Sequence, residues 1–232
     1  MKIAIMGAMP EEIAPILERL DDVEEVNYAK NKYYKAKYKD VEVVVAYSKI
    51  GKVFSTLTAS TMLQMFACDV LLFTGVAGAV NPELKIGDLV VASKLAQHDL
   101  DITIFGHPHG YVPGGSVFVE ADKDLIGLSK VVAKEMGVDV KEGIIATGDQ
   151  FIASEERKEF IAKTFGADAL EMEGASVAVV CDALGVPFFI LRSISDSADM
   201  DAGFNFEEFV ESSAKISAEF LMKMVDRLAQ HA

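Results

Sequence analysis

Three carboxylates of this chain follow apolar, strand-like stretches, where they could act on a bound molecule. Glu12 comes shortly after KIAIMG (2–7), Glu173 ends the stretch LEME, and Asp196 follows PFFILRS (187–193). The carboxyl ends of parallel strands lie at one edge of an α/β sheet, and ligands bind beyond that edge. We therefore expect these three carboxylates to converge on one site.

Carboxylates grouped without a cluster of metal ligands suit the cleavage of a glycosidic bond through an oxocarbenium-like state. One protonated carboxyl can assist the leaving group, while an ionised one activates water. A further carboxylate can hold sugar hydroxyls, and the polarizable thioether of Met172 suits the apolar face of a sugar ring. The pattern predicts no metal and no cofactor.

Each of these residues also has a structural explanation when it is taken alone. Glu12 alone is more commonly a solvated helix residue, and Asp196 serves equally well as a helix cap. Glu171 and Glu173 suit the first turn of a helix, because they complement its dipole. Phe151 alone is more commonly a core residue than a stacking surface. The shared position at strand ends, and not any single residue, favours a ligand site.

The composition limits the possible partners. The chain has 232 residues, a net charge of −14 and 51% hydrophobic residues. Its negative charge argues against binding to nucleic acid or to an anionic membrane. The first residues turn acidic too early for a signal peptide, and the longest charge-free run is too short for a membrane span. Cys68 and Cys181 are interpreted as unpaired core residues, which is typical of proteins in a reducing compartment. The high apolar content implies either a large core or surface that is buried against a partner, and these features together predict a soluble, cytoplasmic, oligomeric protein.

Strand patterns alternate with helix patterns along the chain, which predicts an α/β fold. We expect one domain over 1–232, with a central mixed, mostly parallel, twisted sheet and helices on both faces. Continuous apolar runs and one alternating hairpin predict the strands, at 2–7, 33–48, 69–78, 88–93, 141–147, 167–172 and 187–193. Helical spacing predicts the helices, from Pro10 and at 52–67, 122–136, 155–165, 174–184 and 206–229. The segment 99–120, rich in Gly, Pro and His, is expected to be an ordered excursion.

The motifs at the strand ends resemble those of a known family. GAMPEEI, SKIGKV, TGVAGAV, KIGDLVVA, ATGDQFI, EMEGASVAVVC, LRSISD and FEEF occur in the order and spacing of the methylthioadenosine/S-adenosylhomocysteine nucleosidases, in the purine nucleoside phosphorylase-like superfamily. The resemblance covers essentially the whole chain. SKIGKV, TGVAG, EGIIATGDQF and EMEGASVA are similar to the subgroup that also hydrolyses 6-amino-6-deoxyfutalosine in an alternative menaquinone pathway.

The resemblance implies a role for each carboxylate. Glu12 would position and activate the attacking water, and Asp196 would donate a proton to the imidazole-side nitrogen of the leaving purine. Glu173 would bind the ribose hydroxyls, and Glu171 would keep a supporting role. The products would be adenine and the substituted ribose, as in the methionine salvage reaction of the family.

The resemblance also implies the residues that line the substrate pocket. Ser195 would orient Asp196, and Arg192 would support the carboxylates. The remaining substrate contacts are Met172 at the sugar, Phe151 stacked on adenine, the Ile152 backbone at the adenine edge, the turn residue Gly78, and Met9, Ile50 and Phe206 at the variable substituent. A homodimer is implied as well, in which the partner's 99–120 segment supplies Ile102, Phe105 and Pro113.

The chain departs from the family pattern at one site position. Many members have serine where this chain has Val76, so a hydroxyl near the ribose or the catalytic water is missing. Val76 is therefore a weaker candidate for substrate contact. His107 and His109 have no catalytic counterpart, and both read as exposed loop residues or as residues at the pocket mouth.

Two alternatives use the same fold. A nucleoside phosphorylase needs arginines or backbone donors beside the sugar, and the turns that hold Glu11, Glu12 and TGVAG carry no arginine. A noncatalytic nucleoside sensor would not need Glu12 and Asp196 together. The residues favour a hydrolase. They do not rank methylthioadenosine, adenosylhomocysteine, deoxyadenosine and aminodeoxyfutalosine as substrates.

Overall fold

A computed structural model of the protein describes residues 1–196 and 206–230, and the side chains of all of these except 206 and 207. The strands in these ranges are β1 (Lys2–Gly7), β2 (Glu24–Tyr28), β3 (Asn31–Tyr38), β4 (Val41–Tyr47), β5 (Val70–Ala79), β6 (Leu89–Gln97), β7 (Phe118–Glu120), β8 (Val140–Thr147), β9 (Ala169–Glu171) and β10 (Phe188–Asp196). The α-helices are α1 (Pro10–Leu17), α2 (Lys52–Ser60), α3 (Lys123–Met136), α4 (Glu155–Phe165), α5 (Gly174–Leu184) and α6 (Phe206–Ala229).

All of these strands belong to one mixed sheet, as the sequence predicts, and its described pairings are five parallel and five antiparallel. Its order is β10-β6-β8-β9-β5-β1-β4-β3-β2, and β7 pairs with β6. Strand β10 pairs in parallel with β5 as well as antiparallel with β6. The strands β5, β10, β6, β8 and β9 therefore close into a ring, and β1 to β4 extend the sheet beyond β5.

The helices form two groups on this sheet. Helices α1 and α3 both pack against α6, whereas α2 packs against α5. The strands between them are buried on both sides, with Ile3, Ile5, Leu71 and Leu72 completely inaccessible to solvent. This explains the continuous apolar runs of β1 and β5, because a strand covered on both faces does not alternate.

The predicted elements are present, and the structure adds two strands. The peptide EEVNY forms β2, an edge strand paired only with β3 in the described sheet, and FVE forms the short β7. Most of β2 is exposed, so it lacks the apolar pattern that marks a strand. The helix expected over 52–67 is α2 followed by a π-helical turn, Thr61–Met65. The strand expected at 88–93 continues to Gln97.

Both cysteines are buried and free of disulfides, in agreement with their predicted packing role. Burial raises the pKa of the Cys68 and Cys181 thiols to about 12. None of the helices in the described ranges combines the length and the apolar content needed to cross a bilayer.

Helix α6 supplies a large part of the core beneath β5 and β10. Phe220 is completely buried, and its ring lies parallel to that of Phe189 with 6.3 Å between the centroids. Phe220→Ala should lower the free energy of unfolding by about 3–5 kcal/mol, because it leaves a cavity in this packing. Denaturant titration at one fixed protein concentration measures the loss. Ile216 on the same helix is 46% exposed, so Ile216→Ala is the control and should change little. Equal losses for both variants would contradict this account.

Candidate active site

A cavity of about 300 Å³ opens where β1, β5, β9 and β10 reach their carboxyl ends. Glu12, Glu173 and Asp196 all line it, so the strand-end pattern brings the three carboxylates together as expected. The other lining residues are Ala8, Met9, Ile50, Gly75, Val76, Ala77, Gly78, Phe151, Leu170, Glu171, Met172, Arg192 and Ser195. Nearly all of the predicted substrate contacts therefore face one space.

Glu12 is held by backbone N–H groups from two strand ends. It lies in the first turn of α1, where its Oε2 accepts hydrogen bonds from Ala8 N at 2.6 Å and Met9 N at 3.0 Å. Its Oε1 accepts from Val76 N at 3.3 Å. Burial raises the pKa of Glu12, while the charge of Arg192 and these N–H groups oppose the rise. A buried carboxylate of this kind is a stronger base than one in water.

A buried ion pair forms the floor of the cavity. Arg192 Nη2 lies 2.6 Å from Glu171 Oε2, and the two side chains are 1% and 2% exposed. The Arg192 guanidinium also lies over the ring of Phe73, 4.1 Å from its centroid. Gly75 makes room for this arginine, because a Cβ there would lie 2.9 Å from Arg192 Nη1 and 3.2 Å from Glu12 Oε1.

Glu171, and not Glu173, accepts hydrogen bonds from the backbone N–H groups at the start of α5. Its Oε2 accepts from the N–H groups of Glu173 at 3.1 Å and Gly174 at 2.7 Å, and its Oε1 accepts from the Thr147 hydroxyl. These are bonds that the first turn of a helix needs. The structural role expected for Glu171 is thus its role as the helix cap and as the partner of Arg192.

Glu173 is therefore free to face the cavity. Its Oε1 accepts from Gly51 N at 2.8 Å, and its side chain makes no cap hydrogen bond to α5. Burial and the neighbouring charge of Glu171 raise the pKa of Glu173 to about 7, while Arg192 and the Gly51 N–H oppose the rise. Hydrogen bonds donated by a ligand stabilise the ionised form of such a carboxylate.

Asp196 stands at the end of β10, just past an irregularity in the pairing with β5. The Ser195 hydroxyl donates to Asp196 Oδ1 at 2.9 Å. On the other strand Gly78 leaves space for the carboxylate, since a Cβ there would lie 2.8 Å from Asp196 Oδ2. A bulge at a strand end commonly re-aims a side chain, and here it turns Asp196 toward the cavity.

The aromatic side of the site comes from the loop after β8. Phe151 lines the cavity with 78% of its surface exposed, so it is not a core residue, which was the alternative interpretation of this phenylalanine. Ile152 lies in a small adjoining pocket that also contacts Phe151, Met172 and Asp196. An exposed ring at the edge of a cavity is available for stacking on a planar ligand.

The remaining predicted residues lie elsewhere. Ile102 is half-buried, and Phe105 and Pro113 are exposed outside this cavity. The side chain of Phe206 lies outside the described residues. His107 stacks on Tyr111, and His109 packs against Phe160, so neither faces the cavity.

Sequence reasoning missed the backbone donors of the site. The N–H groups of Ala8, Val76 and Gly51 bind the carboxylates of Glu12 and Glu173, and a backbone N–H leaves no mark in the residue letters. The glycines were the available signal. Gly51 has φ = 99°, a conformation that L side chains rarely adopt, and it precedes α2 directly.

The raised pKa of Glu173 predicts a pH dependence of stability. Its pKa is about 7 in the folded chain against an ordinary value of 4.5, so its stabilising effect is complete below that lower value and is lost as pH rises through 7. From about pH 5 to pH 8, Glu173→Gln should gain roughly 1–3 kcal/mol in unfolding free energy relative to the wild type. Denaturant titrations across this range measure the gain. The exposed Glu155→Gln is the control, and parallel curves for wild type and Glu173→Gln would refute the effect.

Comparisons with known proteins identify relatives of the whole chain. The model of the phosphorylase superfamily matches residues 2–230. The chain is 60% identical over 228 residues to the aminodeoxyfutalosine nucleosidase of Campylobacter jejuni, covering 98% of this chain and 100% of the relative. It is 39% identical over 232 residues to the 5'-methylthioadenosine/S-adenosylhomocysteine nucleosidase of Geobacillus kaustophilus, covering 99% of each chain.

A solved structure has the same fold. The crystal structure of the Campylobacter jejuni 5'-methylthioadenosine/S-adenosylhomocysteine nucleosidase superposes with a TM-score of 0.96 at 61% identity, covering 98% of this chain and 99% of that one. Identity at this level over nearly the full length of both chains identifies the family as well as the fold. The chain therefore belongs to the phosphorylase superfamily and, within it, to the family of methylthioadenosine/S-adenosylhomocysteine and aminodeoxyfutalosine nucleosidases.

Proposed function

We propose that this N-glycosyl hydrolase cleaves adenine nucleosides with a 5'-substituted ribose, releasing adenine and the free sugar. The observation that carries the proposal is the convergence of Glu12, Glu173 and Asp196 on one cavity with an exposed aromatic ring at its edge. The substrates are 5'-methylthioadenosine, S-adenosylhomocysteine, 5'-deoxyadenosine and 6-amino-6-deoxyfutalosine. These nucleosides share adenine and ribose, which are the parts that the cavity residues would contact.

Glu12 acts as the base that activates water. Its two oxygens are fixed by three backbone N–H groups, so its orientation does not depend on the substrate. Burial raises its pKa, and a base is most effective when its pKa approaches the working pH. Water that loses a proton to Glu12 then attacks the anomeric carbon as the bond to adenine breaks.

Asp196 acts as the acid for the leaving group. Among the described groups the Ser195 hydroxyl donates to its Oδ1, and Oδ2 carries the proton toward the imidazole-side nitrogen of adenine. Phe151 stacks on the base, and the Ile152 backbone binds its edge. Protonation neutralises the adenine anion that would otherwise have to leave.

Glu173 and the residues around it hold the sugar. Ribose hydroxyls donate to Glu173, whose carboxylate has only the Gly51 N–H as a hydrogen-bond donor among the described groups. Met172 packs on the ribose, with Val76 and Gly78 beside it, and Arg192 stabilises the carboxylates from below. Met9, Ile50 and Phe206 contact the variable 5' substituent.

Water is a better nucleophile than phosphate in this cavity. Arg192 is the only cationic side chain among the described lining residues, and it is already paired with Glu171. A phosphate next to Glu12 and Glu173 would meet two carboxylates in a partly dry site. A noncatalytic sensor would have no use for Glu12 and Asp196 at opposite ends of the bond that breaks.

The nucleophile can be tested directly. Cleavage in phosphate-free buffer should yield free methylthioribose, and added phosphate should neither speed the reaction nor yield a sugar phosphate, because the one cation among the described lining residues, Arg192, is paired with Glu171. Product analysis by mass spectrometry checks this. Phosphate-dependent turnover would overturn the choice of water.

The acid and the base can be separated by changing the leaving group. Asp196→Asn should lose about 10²–10⁴-fold in kcat/KM on adenine nucleosides, the usual contribution of general acid catalysis. The loss should shrink sharply on a nitrophenyl riboside, whose leaving group departs without a proton. Glu12→Gln should remain impaired on both substrates. If Asp196→Asn is equally impaired on both, Asp196 only positions the ring.

A homodimer completes the pocket in this proposal. Ile104 and Phe105 are 87% and 76% exposed in the single chain, and exposed apolar side chains of this size commonly mark an interface. The partner's Ile102, Phe105 and Pro113 would then close the mouth over the 5' substituent. The free thiols of Cys68 and Cys181 suit a reducing compartment, so we place the enzyme in the cytoplasm.

Phe105→Ala should raise KM for methylthioadenosine while leaving the circular dichroism spectrum unchanged, because the Phe105 side chain is 76% exposed in its own chain. Sedimentation velocity at the assay concentration gives the oligomeric state. A monomer with full activity would contradict the shared pocket.

A further inference from the structure

Three polar residues just outside the cavity close a ring of hydrogen bonds. Lys52 begins α2, Asp99 begins the 99–120 segment, and Asp149 lies in the loop that carries Phe151. Lys52 Nζ donates to Asp99 Oδ1 at 2.6 Å, and Asp149 N donates to Asp99 Oδ2 at 2.8 Å. Lys52 N donates to Asp149 Oδ1 at 2.7 Å, which closes the Lys52–Asp99–Asp149 ring.

The ring is shielded from water on its charged side. The Lys52 and Asp99 side chains are 19% and 16% exposed, and Lys52 Nζ also donates to Gln97 Oε1 at 3.2 Å. Burial opposes the ionisation of Asp99, but the bonds from Lys52 and Asp149 outweigh it and lower the pKa of Asp99. Charge-assisted hydrogen bonds in such a setting are stronger than neutral ones and hold geometry well.

One side of the ring fixes the donor to Glu173. Gly51 directly precedes Lys52, and its N–H donates to Glu173 Oε1 at 2.8 Å. A Cβ on Gly51 would lie 2.9 Å from Asp149 Oδ1, so the glycine lets the ring approach this closely. The ring therefore sets the position of the Gly51 N–H group, from which Glu173 accepts a hydrogen bond.

The other side of the ring fixes the loop of the exposed aromatic residue. Phe151 is 78% exposed, so packing of its own side chain does little to hold it. The loop is tied down through its backbone, by Gly148 N donating to Glu171 O at 3.1 Å and by Asp149 N donating to Asp99. The orientation of Phe151 thus depends on the ring.

We propose that the Lys52–Asp99–Asp149 ring is a positioning unit that holds Phe151 and Glu173 at a fixed separation. Phe151 and Glu173 can then bind the base and the ribose of one substrate at the same time. The proposal rests on the proposed function, because it assumes that Phe151 binds adenine and Glu173 binds ribose. None of the three ring residues lines the cavity, so they act through the two residues that do.

Asp99→Asn tests the ring. An asparagine has one acceptor oxygen where both carboxylate oxygens are used, so one contact is lost. KM for methylthioadenosine and the inhibition constant of adenine should rise by roughly tenfold, the size expected from one charge-assisted hydrogen bond, with a smaller change in kcat. In a Phe151→Ala background the same substitution should raise KM less, because one of the two residues that the ring positions is gone and only the effect through Glu173 remains. A merely structural loss would be the same in both backgrounds.

Lys52 provides a second variant and a rescue. Lys52→Met should repeat the KM increase and its dependence on Phe151, and Lys52→Arg should restore most of the affinity by keeping a cation. The control is Glu159→Gln, which breaks the exposed pair with Lys163 at 2.7 Å and should leave KM unchanged.

The outcomes separate this proposal from the proposed function. If the wild-type protein cleaves no adenine nucleoside, the function itself is wrong. If the wild type is active but Asp99→Asn and Lys52→Met have the wild-type KM, the ring does not position the site. The same conclusion follows if the two substitutions raise KM by the same factor in the Phe151→Ala background as in the wild type. Thermal melting accompanies each assay. Unfolding of both variants would assign the ring to stability and overturn the proposal.

Discussion

The buried pair of Arg192 and Glu171 is the interaction on which the site depends. Removing two charges from water is unfavourable unless further hydrogen bonds satisfy them. Glu171 meets this condition by also accepting from two N–H groups at the start of α5 and from Thr147. One carboxylate therefore joins β10 to α5 and places a positive charge beneath the cavity, close to Glu12 and Glu173.

The single positive charge of Arg192 does not balance the carboxylates around it. Glu12, Glu171 and Glu173 share one arginine, and the raised pKa values of Glu12 and Glu173 reflect burial with incomplete compensation. A cavity of this kind favours ligands that donate hydrogen bonds and states that develop positive charge. The hydroxyls of a ribose and the oxocarbenium-like state of glycosidic cleavage have these properties, whereas a phosphate nucleophile has the opposite one.

The sequence predicted the parts of the structure that residue types record. The apolar runs of β1 and β5 indicated strands covered on both faces, and the position of Glu12, Glu173 and Asp196 after strand-like runs predicted that the three converge. It did not reveal β2, whose residues EEVNY are mostly exposed, nor the closure of the ring of strands through β10. Closure depends on which strands pair at a distance, and the apolar pattern of a buried strand is the same in an open sheet.

The site was predictable in its side chains and hidden in its backbone. LEMEG contains two glutamates with the same intrinsic preference for a helix start, and only the geometry assigns the cap to Glu171 and frees Glu173. The donors to Glu12 and Glu173 are main-chain N–H groups. Gly51, Gly75 and Gly78 matter through side chains that they lack, since each gives a charged group room that a Cβ would take.

This construction has a consequence for substrate range. The polar groups of the cavity surround the positions proposed for base and ribose, while the proposed 5' end faces Met9 and the exposed Ile50. An apolar mouth discriminates weakly between substituents, because each methylene contributes little and no buried donor or acceptor is left unpaired by the wrong one. Relatives of this chain from Campylobacter jejuni carry both the aminodeoxyfutalosine and the methylthioadenosine/S-adenosylhomocysteine nucleosidase names. If the proposed roles hold, a site selective for adenine and ribose and permissive at the mouth would accommodate both activities without a change in the residues proposed for catalysis.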